Sequence, residues 1–271
     1  MGVGIAQMDP VKRGMPPVTK AEIKTGLERL GLATRNAVGV HSSLSRFGYV
    51  AGGADAVIDA ILETVGTEGT VVMPTFSTNR IMMDLLPEEK AAGASYLCRV
   101  LPYDPVETPC WTGAIPETFR KRPGVVRSLH PLFSVVAAGA HAQEIVDAGR
   151  EHSLSSWRRL MDLGGFILLV GVGLEVCTAM HLAEERVALP RRLRDEVTPP
   201  SWSTKKYPEG EWDWDFGPYP EFAKMERPCL EREILVTAMI GQATLRFGRL
   251  KDLVDLYDLW LREDPYRFYV T

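Results

Sequence analysis

The chain has 271 residues, enough for one large domain or two small ones, and with 45% hydrophobic and 24% charged residues its composition is that of an ordinary globular protein. A net charge of -4 gives no reason to expect a nucleic acid or an anionic membrane as partner, and four widely spaced cysteines do not predict a disulfide framework or a zinc site. No apolar run reaches membrane-spanning length and no signal-peptide pattern opens the chain, so we expect a cytoplasmic protein.

Residues 1–17 are rich in Gly, Met and Pro and are predicted to form a flexible leader, followed by one folded domain over 18–271. Thr19 and Glu22 form a capping-box pattern that predicts a helix through Leu30, which Gly31 ends. A strand over 37–41, a helix over 54–65 and a strand over 69–74 follow. This α-β-α-β order favours a largely parallel sheet with helices packed over it.

The remaining predicted elements are a helix over 113–122, a strand over 134–138, a helix over 140–148, strands over 165–170 and 242–247, and an amphipathic helix over 249–262. The predicted fold is therefore α/β: a single compact domain with a mostly parallel central sheet flanked by helices. Two stretches, 78–113 and 190–220, lack periodicity and are predicted to be long irregular loops that bind a ligand.

The second of these stretches alternates aromatic and acidic residues. It is interpreted either as a lid whose acids attract a polycation or as the cover of a core edge. The aromatic members are Trp202, Tyr207, Trp212, Trp214 and Phe216, and the acidic members are Glu209, Glu211, Asp213 and Asp215.

The most informative stretch is GGFILLVGVGLEVCTAMHLAEE, residues 164–185. Its apolar run predicts a fully buried strand. Glu175, Thr178, His181 and Glu184 follow at intervals of three residues as a helical pattern begins. An imidazole between carboxylates, just past the carboxyl end of a buried strand, lies where α/β proteins usually carry out chemistry. These features favour His181 as a functional residue over a structural one, whereas His41, at a strand end without acidic neighbours, is expected to be structural.

Two further segments carry small polar or charged side chains. Ser42, Ser43 and Leu44 directly follow a predicted strand, and their hydroxyl and N–H groups suit either a phosphate or amide ligand or a helix cap. In VVRSLHPLFS, Arg127 offers a donor fork for phosphate but is also compatible with a solvated surface charge. The sequence has no GxGxxG, Walker or GxSxG motif, which argues against a Rossmann site, a P-loop and an α/β-hydrolase.

Four segments in this order, HSSLSRFGYVAGG, GTVVMPTFS, RSLHPLFSVVAAG and LLVGVGLEVCTAMHLAEE, resemble the aminoglycoside 3-N-acetyltransferase family, and the likeness extends from about residue 20 to 260. The His181 segment and RSxHPxxS are the most specific parts. The resemblance implies acetyl transfer from acetyl-coenzyme A to an amine, typically the 3-amino group of a deoxystreptamine antibiotic. It implies no metal and no nucleic-acid or membrane partner, and it leaves monomer or homodimer open.

The resemblance also implies roles for individual residues. His181 would be the catalytic base, and Glu226, in FAKME, the acid that assists it. Glu175 would contact or activate the acceptor, at a position where the family usually has Asp. Glu184 completes the T-x-x-H-x-x-E pattern, and the sequence leaves open whether Glu184 or Glu226 orients the imidazole.

Coenzyme A would be bound by the hydroxyl-rich loops. Thr178 is counted with these residues, and if it caps the following helix, His181 lies in the first turn of that helix. The pantetheine and thioester would face Ser42, Ser43, Leu44 and Thr75, and the phosphates or nearby arm would face Arg127, Ser128 and His130. Two other functions remain open: a related acyl-coenzyme A transferase that acts on a different amine, and a coenzyme A-binding protein without turnover.

Overall fold

In the computed structural model, which describes residues 16–77, 80–83, 86–88, 97–150, 152–188 and 220–269, a seven-stranded sheet is flanked by helices. The helices are α1 Lys20–Leu30, α2 Gly53–Val65, α3 Ala114–Phe119, α4 Ala142–Ala148, α5 Ser155–Asp162, α6 His181–Glu184, α7 Glu226–Glu231 and α8 Leu250–Glu263. The strands are β1 Ala37–Ser42, β2 Thr70–Pro74, β3 Arg80–Met83, β4 Leu97–Val100, β5 Val126–Arg127, β6 Val135–Gly139, β7 Phe166–Val170, β8 Val236–Ile240 and β9 Ala243–Arg249.

The sheet is mixed, with the strand order β5-β6-β2-β1-β7-β9-β8. The predicted α/β fold is confirmed, but the expectation of a mostly parallel sheet was wrong. Only the central β2, β1 and β7 are mutually parallel, and the pairs on either side of them are antiparallel. Short connections explain two of the antiparallel pairs. A tight turn at Gly241 joins β8 to β9, and seven residues join β5 to β6, whereas a parallel neighbour would need a crossover of a dozen residues or more.

Both faces of the sheet are buried. On one face, α1, α2 and α3 cover alternate residues of the central strands, among them Val38 and Val40. On the other face, α4, α5 and α8 pack together with the chain that follows β7. Burial on both faces accounts for the continuous apolar runs of β2 and β7.

Helix α5 is absent from the sequence-based prediction, although its buried Trp157, Leu160 and Met161 follow helical spacing. Gly39 of β1 makes room for it. A Cβ atom at Gly39 would lie 2.7 Å from Cζ3 of Trp157, so only glycine lets this large ring lie flat against the strand.

The capping box at α1 is confirmed in both of its bonds. The Glu22 backbone N–H donates to Thr19 Oγ1 at 3.3 Å, and the Thr19 N–H donates to Glu22 Oε2 at 2.8 Å. Gly31 ends the helix with φ 104°, a conformation that favours glycine.

The predicted loop over 78–113 is not wholly irregular, because it contains the antiparallel hairpin of β3 and β4. The predicted leader lies outside the described residues except for Pro16 and Pro17, and the aromatic and acidic stretch lies outside them except for Pro220. None of the helices that the structure describes is long and apolar enough to cross a membrane.

Candidate active site

The polar segments predicted from sequence meet at one edge of the sheet. Because β1, β2 and β7 are parallel, their carboxyl ends lie together: Ser42 of β1 is paired with Val170 of β7, and Thr75 directly follows β2. The antiparallel β6 begins at the same edge, since Pro74 is paired with Val135. The loop that carries Arg127, Ser128 and His130 is brought there by a pairing that the sequence pattern does not reveal.

His181 is the first residue of α6, which follows two short 3₁₀ turns after β7. Its Nδ1 lies 3.0 Å from Oε2 of Glu184, one helical turn further on. The imidazole side chain is 24% exposed and the carboxylate side chain 15%, so that the pair is partly shielded without being sealed off. A carboxylate that accepts from Nδ1–H leaves the Nε2 lone pair as the basic site of the ring. Of the two candidates for orienting the imidazole, Glu184 is the one in contact with Nδ1.

Two aromatic residues, Phe222 and Tyr257, contact this pair. The Phe222 ring meets the His181 ring edge-on at 4.8 Å, and the Tyr257 hydroxyl donates to Glu184 Oε1 at 3.1 Å. Burial, with the nearby Glu184 charge, raises the pKa of Tyr257, which keeps the hydroxyl a proton donor. The sequence placed Tyr257 only on the apolar face of the closing helix, because nothing local shows that its hydroxyl reaches a carboxylate 73 residues away.

Two further carboxylates converge on Gly173. Glu175 Oε1 accepts from the Gly173 N–H at 2.9 Å, and Glu226 Oε1 accepts from Arg246 Nη2 at 2.5 Å. A Cβ atom at Gly173 would collide with Glu175 Oε2 and lie 3.0 Å from Glu226 Oε2, so glycine leaves room for both acids. The sequence pattern does not reveal Arg246 as a site residue, because an arginine that alternates with Leu245 and Phe247 in a predicted strand is typical of a solvent-facing position.

Arg127 is engaged by the protein itself. Its Nε donates to the hydroxyls of Thr75 and Ser134, both at 3.1 Å. Its Nη1 donates to the carbonyls of Pro105 and Thr108, and its Nη2 donates to the carbonyl of Thr75 at 2.7 Å. Burial lowers the pKa of this guanidinium. The structure therefore shows a clamp that holds the loop around residue 105 to the end of β2, and the phosphate contact stays a prediction.

Ser128 and His130 are buried and shape the turn that enters β6. Ser128 Oγ accepts from the Val135 N–H at 3.0 Å, and His130 Nδ1 accepts from the Phe133 N–H at 3.0 Å. Both residues are at most 2% exposed. The contact with coenzyme A that the resemblance implies for both residues stays a prediction.

The hydroxyl groups at the end of β1 differ in their surroundings. Ser42 Oγ is buried and has no hydrogen-bond partner among the described residues, whereas the Ser43 and Ser45 hydroxyl oxygens lie 3.2 Å apart. Leu44 begins a 3₁₀ turn and is partly buried. Thr178 likewise begins a 3₁₀ turn and does not cap the helix of His181. That helix starts after Met180, and no side chain caps it.

Two other residues are structural. His41 is buried and stacks on Trp157 with ring centroids 5.2 Å apart, and burial lowers its pKa to about 3. Burial raises the pKa of the Cys177 thiol to about 12, so this residue has no thiolate character at neutral pH. In the part of the chain that the structure describes, no three His, Cys, Asp or Glu side chains are grouped as metal ligands.

The fold and site together define an α/β protein with a partly shielded His–Glu pair and two more carboxylates at the carboxyl edge of its sheet. The sequence profile described as aminoglycoside 3-N-acetyltransferase matches residues 40–262. The chain belongs to this family.

Relatives of known name agree with this assignment. Aminoglycoside N(3)-acetyltransferase VIII of Streptomyces fradiae is 34% identical over 66% of this chain and 65% of its own length. The SPbeta prophage-derived aminoglycoside N(3')-acetyltransferase-like protein YokD of Bacillus subtilis is 31% identical over 90% of this chain and 92% of its own length.

Solved structures show the same fold. Aminoglycoside acetyltransferase AAC(3)-IVa superposes with a TM-score of 0.74 at 26% identity and covers 95% of this chain and 94% of its own. A mutant of that enzyme has been solved with gentamicin. AAC-IIIb, solved as a binary complex with coenzyme A, superposes with a TM-score of 0.72 at 25% identity and covers 94% of this chain and 99% of its own.

Proposed function

We propose that this protein transfers the acetyl group of acetyl-coenzyme A to the 3-amino group of an aminoglycoside, with His181 as the general base. The observation that carries the proposal is the His181–Glu184 pair, accessible yet shielded in the chain that follows the carboxyl end of β7. The family to which the chain belongs and the coenzyme A complex of AAC-IIIb support the choice of cosubstrate. Since acetyl-coenzyme A is the acyl donor, the proposed reaction belongs in the cytoplasm.

The proton chemistry fits these residue types. The acceptor amine is mostly ammonium at neutral pH and cannot attack a thioester until a proton is removed. Once the ammonium has lost one proton to solvent, the free amine attacks the acetyl carbon and a neutral imidazole takes the second proton at Nε2 as the C–N bond forms. The departing coenzyme A thiolate receives that proton from the imidazolium as the C–S bond breaks. Glu184 fixes the ring through Nδ1–H and stabilises the imidazolium that forms. General-base assistance of this kind contributes about 10²–10⁴ in rate.

The carboxylates near Gly173 supply a place for a cationic acceptor. Arg246 balances the charge of Glu226, which leaves Glu175 as the exposed acid of the two. We assign Glu175 to an ammonium group of the acceptor. Glu226 then acts by its position beside Glu175 at Gly173, since its Oε1 is bonded to Arg246.

The hydroxyl-bearing edge suits a coenzyme A arm. Ser42 Oγ is a buried polar atom without a protein partner in the described ranges, so a ligand amide or carbonyl is a suitable partner for it. The pantetheine and thioester stay assigned to Ser43, Leu44 and Thr75, and Thr178 stays assigned to coenzyme A binding. The residues that shape the protein surface next to this edge are Arg127, Ser128 and His130. We assign them to coenzyme A binding, and experiment decides whether they contact the ligand directly.

The second candidate function is transfer of the acyl group to a different small-molecule amine. It is favoured by one residue, because Glu175 is longer by a methylene than the Asp that the family usually has there. The same site and base would serve both reactions, and only the acceptor would differ.

Free thiol released from acetyl-coenzyme A, measured with a panel of amines, tests these functions. We expect release with gentamicin-like or apramycin-like compounds. Release only with other amines would support the second function, and coenzyme A binding without any release would contradict both.

The base is tested with His181→Ala, which we expect to lower kcat by about 10²–10⁴ with nearly unchanged coenzyme A affinity. His141→Ala is the matched control, because this histidine lies beside Thr70 at the opposite edge of the sheet. Substantial turnover by the His181 variant would refute its assignment.

A further inference from the structure

Tyr257 reaches the candidate base pair from the other end of the chain. It lies on α8, is fully buried, and donates its hydroxyl proton to Glu184 Oε1 at 3.1 Å. The second oxygen of the same carboxylate, Oε2, lies 3.0 Å from His181 Nδ1. With one partner on each oxygen, the carboxylate plane cannot rotate without losing a hydrogen bond, so Tyr257 fixes the acceptor that in turn orients the imidazole.

The tyrosine ring is itself held in place by aromatic neighbours. Phe222 and Phe268 meet it edge-on with centroids 5.3 and 4.9 Å away. Phe222 also meets the His181 ring at 4.8 Å, so one phenylalanine packs against both ends of the hydrogen-bonded chain. Edge-to-face contacts of this kind restrict ring orientation, which keeps the hydroxyl directed at Glu184.

We propose that Tyr257 is a positioning residue for acetyl transfer, acting through Glu184 on the orientation and proton affinity of His181. This inference rests on the proposed function, in which His181 is the base. Two physical effects follow from the hydroxyl. It restricts rotation of the Glu184 carboxylate, and by donating a hydrogen bond it withdraws part of the negative charge that the imidazolium would otherwise feel.

Four titratable groups set the proton balance at this position. They are His181 and Glu184 on α6, Tyr257 on α8, and Tyr269, whose hydroxyl interacts with that of Tyr257. Removal of the Tyr257 hydroxyl concentrates charge on Glu184 and favours the protonated imidazole. The acidic limb of the pH–rate profile is therefore expected to move to higher pH.

The test is Tyr257→Phe, which keeps the ring and its packing. We expect kcat to fall about tenfold and KM for both substrates to stay within about twofold, because an interaction that acts on the base changes turnover rather than binding. The acidic limb of kcat/KM should shift upward by a few tenths of a pH unit. Tyr266→Phe, on an exposed tyrosine near the same end of the chain, is the control and should leave all three quantities unchanged.

A double-mutant cycle separates positioning from general destabilisation. In a Glu184→Gln background, Tyr257→Phe should lower kcat by less than about twofold, since its effect passes through the carboxylate. A full tenfold loss in that background would mean that the tyrosine acts by another route and would overturn the inference. An unchanged kcat and pH profile for Tyr257→Phe beside an inactive His181→Ala would also overturn it, while leaving the proposed function intact. An active His181→Ala would instead refute the base on which both depend.

Discussion

Arg246 Nη2 donates to Glu226 Oε1 at 2.5 Å, and Arg246 Nη1 donates to the carbonyl of Val172 at 3.1 Å. The arginine thus ties β9 both to a carboxylate of the site and to the chain that leaves β7. The two side chains are only 16% and 26% exposed, so neither charge is fully screened by water. Removal of either partner would consequently leave the other charge partly buried and unpaired.

We expect Arg246→Met to lower the free energy of unfolding by about 1–3 kcal/mol, because it leaves the Glu226 carboxylate partly buried without its partner. Chemical denaturation measures this loss. The double variant with Glu226→Gln should recover part of it, since both charges are then removed. Strictly additive losses would show that the two residues do not interact.

Glu184→Gln replaces the carboxylate on Nδ1 of His181 by a neutral amide. We expect kcat to fall by at least about tenfold, because the imidazolium loses its counter-charge and the amide can favour the wrong tautomer. Coenzyme A affinity, measured by calorimetry, should change little. Glu185→Gln, in which the neighbouring acid loses its ion pair with Arg158, is the control and should keep wild-type turnover.

Glu175→Gln removes a charge but keeps the oxygen that accepts from the Gly173 N–H. If this acid binds an ammonium group, KM for a polycationic aminoglycoside should rise about fivefold to tenfold, the size of one partly exposed ion pair. The KM for acetyl-coenzyme A serves as the internal control and should be unchanged. An acceptor KM that stays constant would place Glu175 outside the acceptor site.

In the variant Arg127→Lys, we expect the clamp to be lost. A single ammonium cannot reproduce the planar donor fork that spans Thr75, Pro105 and Thr108. We expect a loss of about 2 kcal/mol or more in unfolding free energy and faster proteolysis in the loop around residue 105. Unchanged stability together with weaker coenzyme A binding would support the phosphate contact and contradict the clamp.

His41 makes stability depend on pH. Its pKa is about 3 in the folded protein and near 6.5 in an unfolded chain, so the unfolded state takes up the proton first as the pH falls. The contribution of the neutral ring to the free energy of unfolding is complete above about pH 6.5 and is lost progressively towards pH 3. At pH 5 the loss should be about 2 kcal/mol. His41→Phe, which keeps the stack on Trp157, should flatten the stability profile between pH 7 and 5, and an unchanged slope would contradict the buried neutral histidine.

Local signals in the sequence were sufficient for several elements. The apolar run before His181, the capping box at Thr19 and the strands β1, β2 and β6 were predicted close to their observed bounds. Hydrophobic runs and capping residues act within a few positions of the chain, so the elements that they form can be predicted without knowledge of the fold. The relative direction of neighbouring strands cannot be predicted in this way, because a strand buried on both faces has the same apolar sequence pattern in a parallel and in an antiparallel pair.

The sequence by itself determined the α/β class, the strand-end position of His181 and the presence of Glu184 one helical turn away. Only the tertiary structure decided that Arg127 clamps a loop, that Arg246 pairs with Glu226 and that Tyr257 completes the histidine pair. These contacts join residues that are far apart in the chain, and they form because sheet pairing and core packing bring distant segments together. Periodicity reports which side chains are buried, whereas the partner of a buried polar atom depends on the packing of the whole domain.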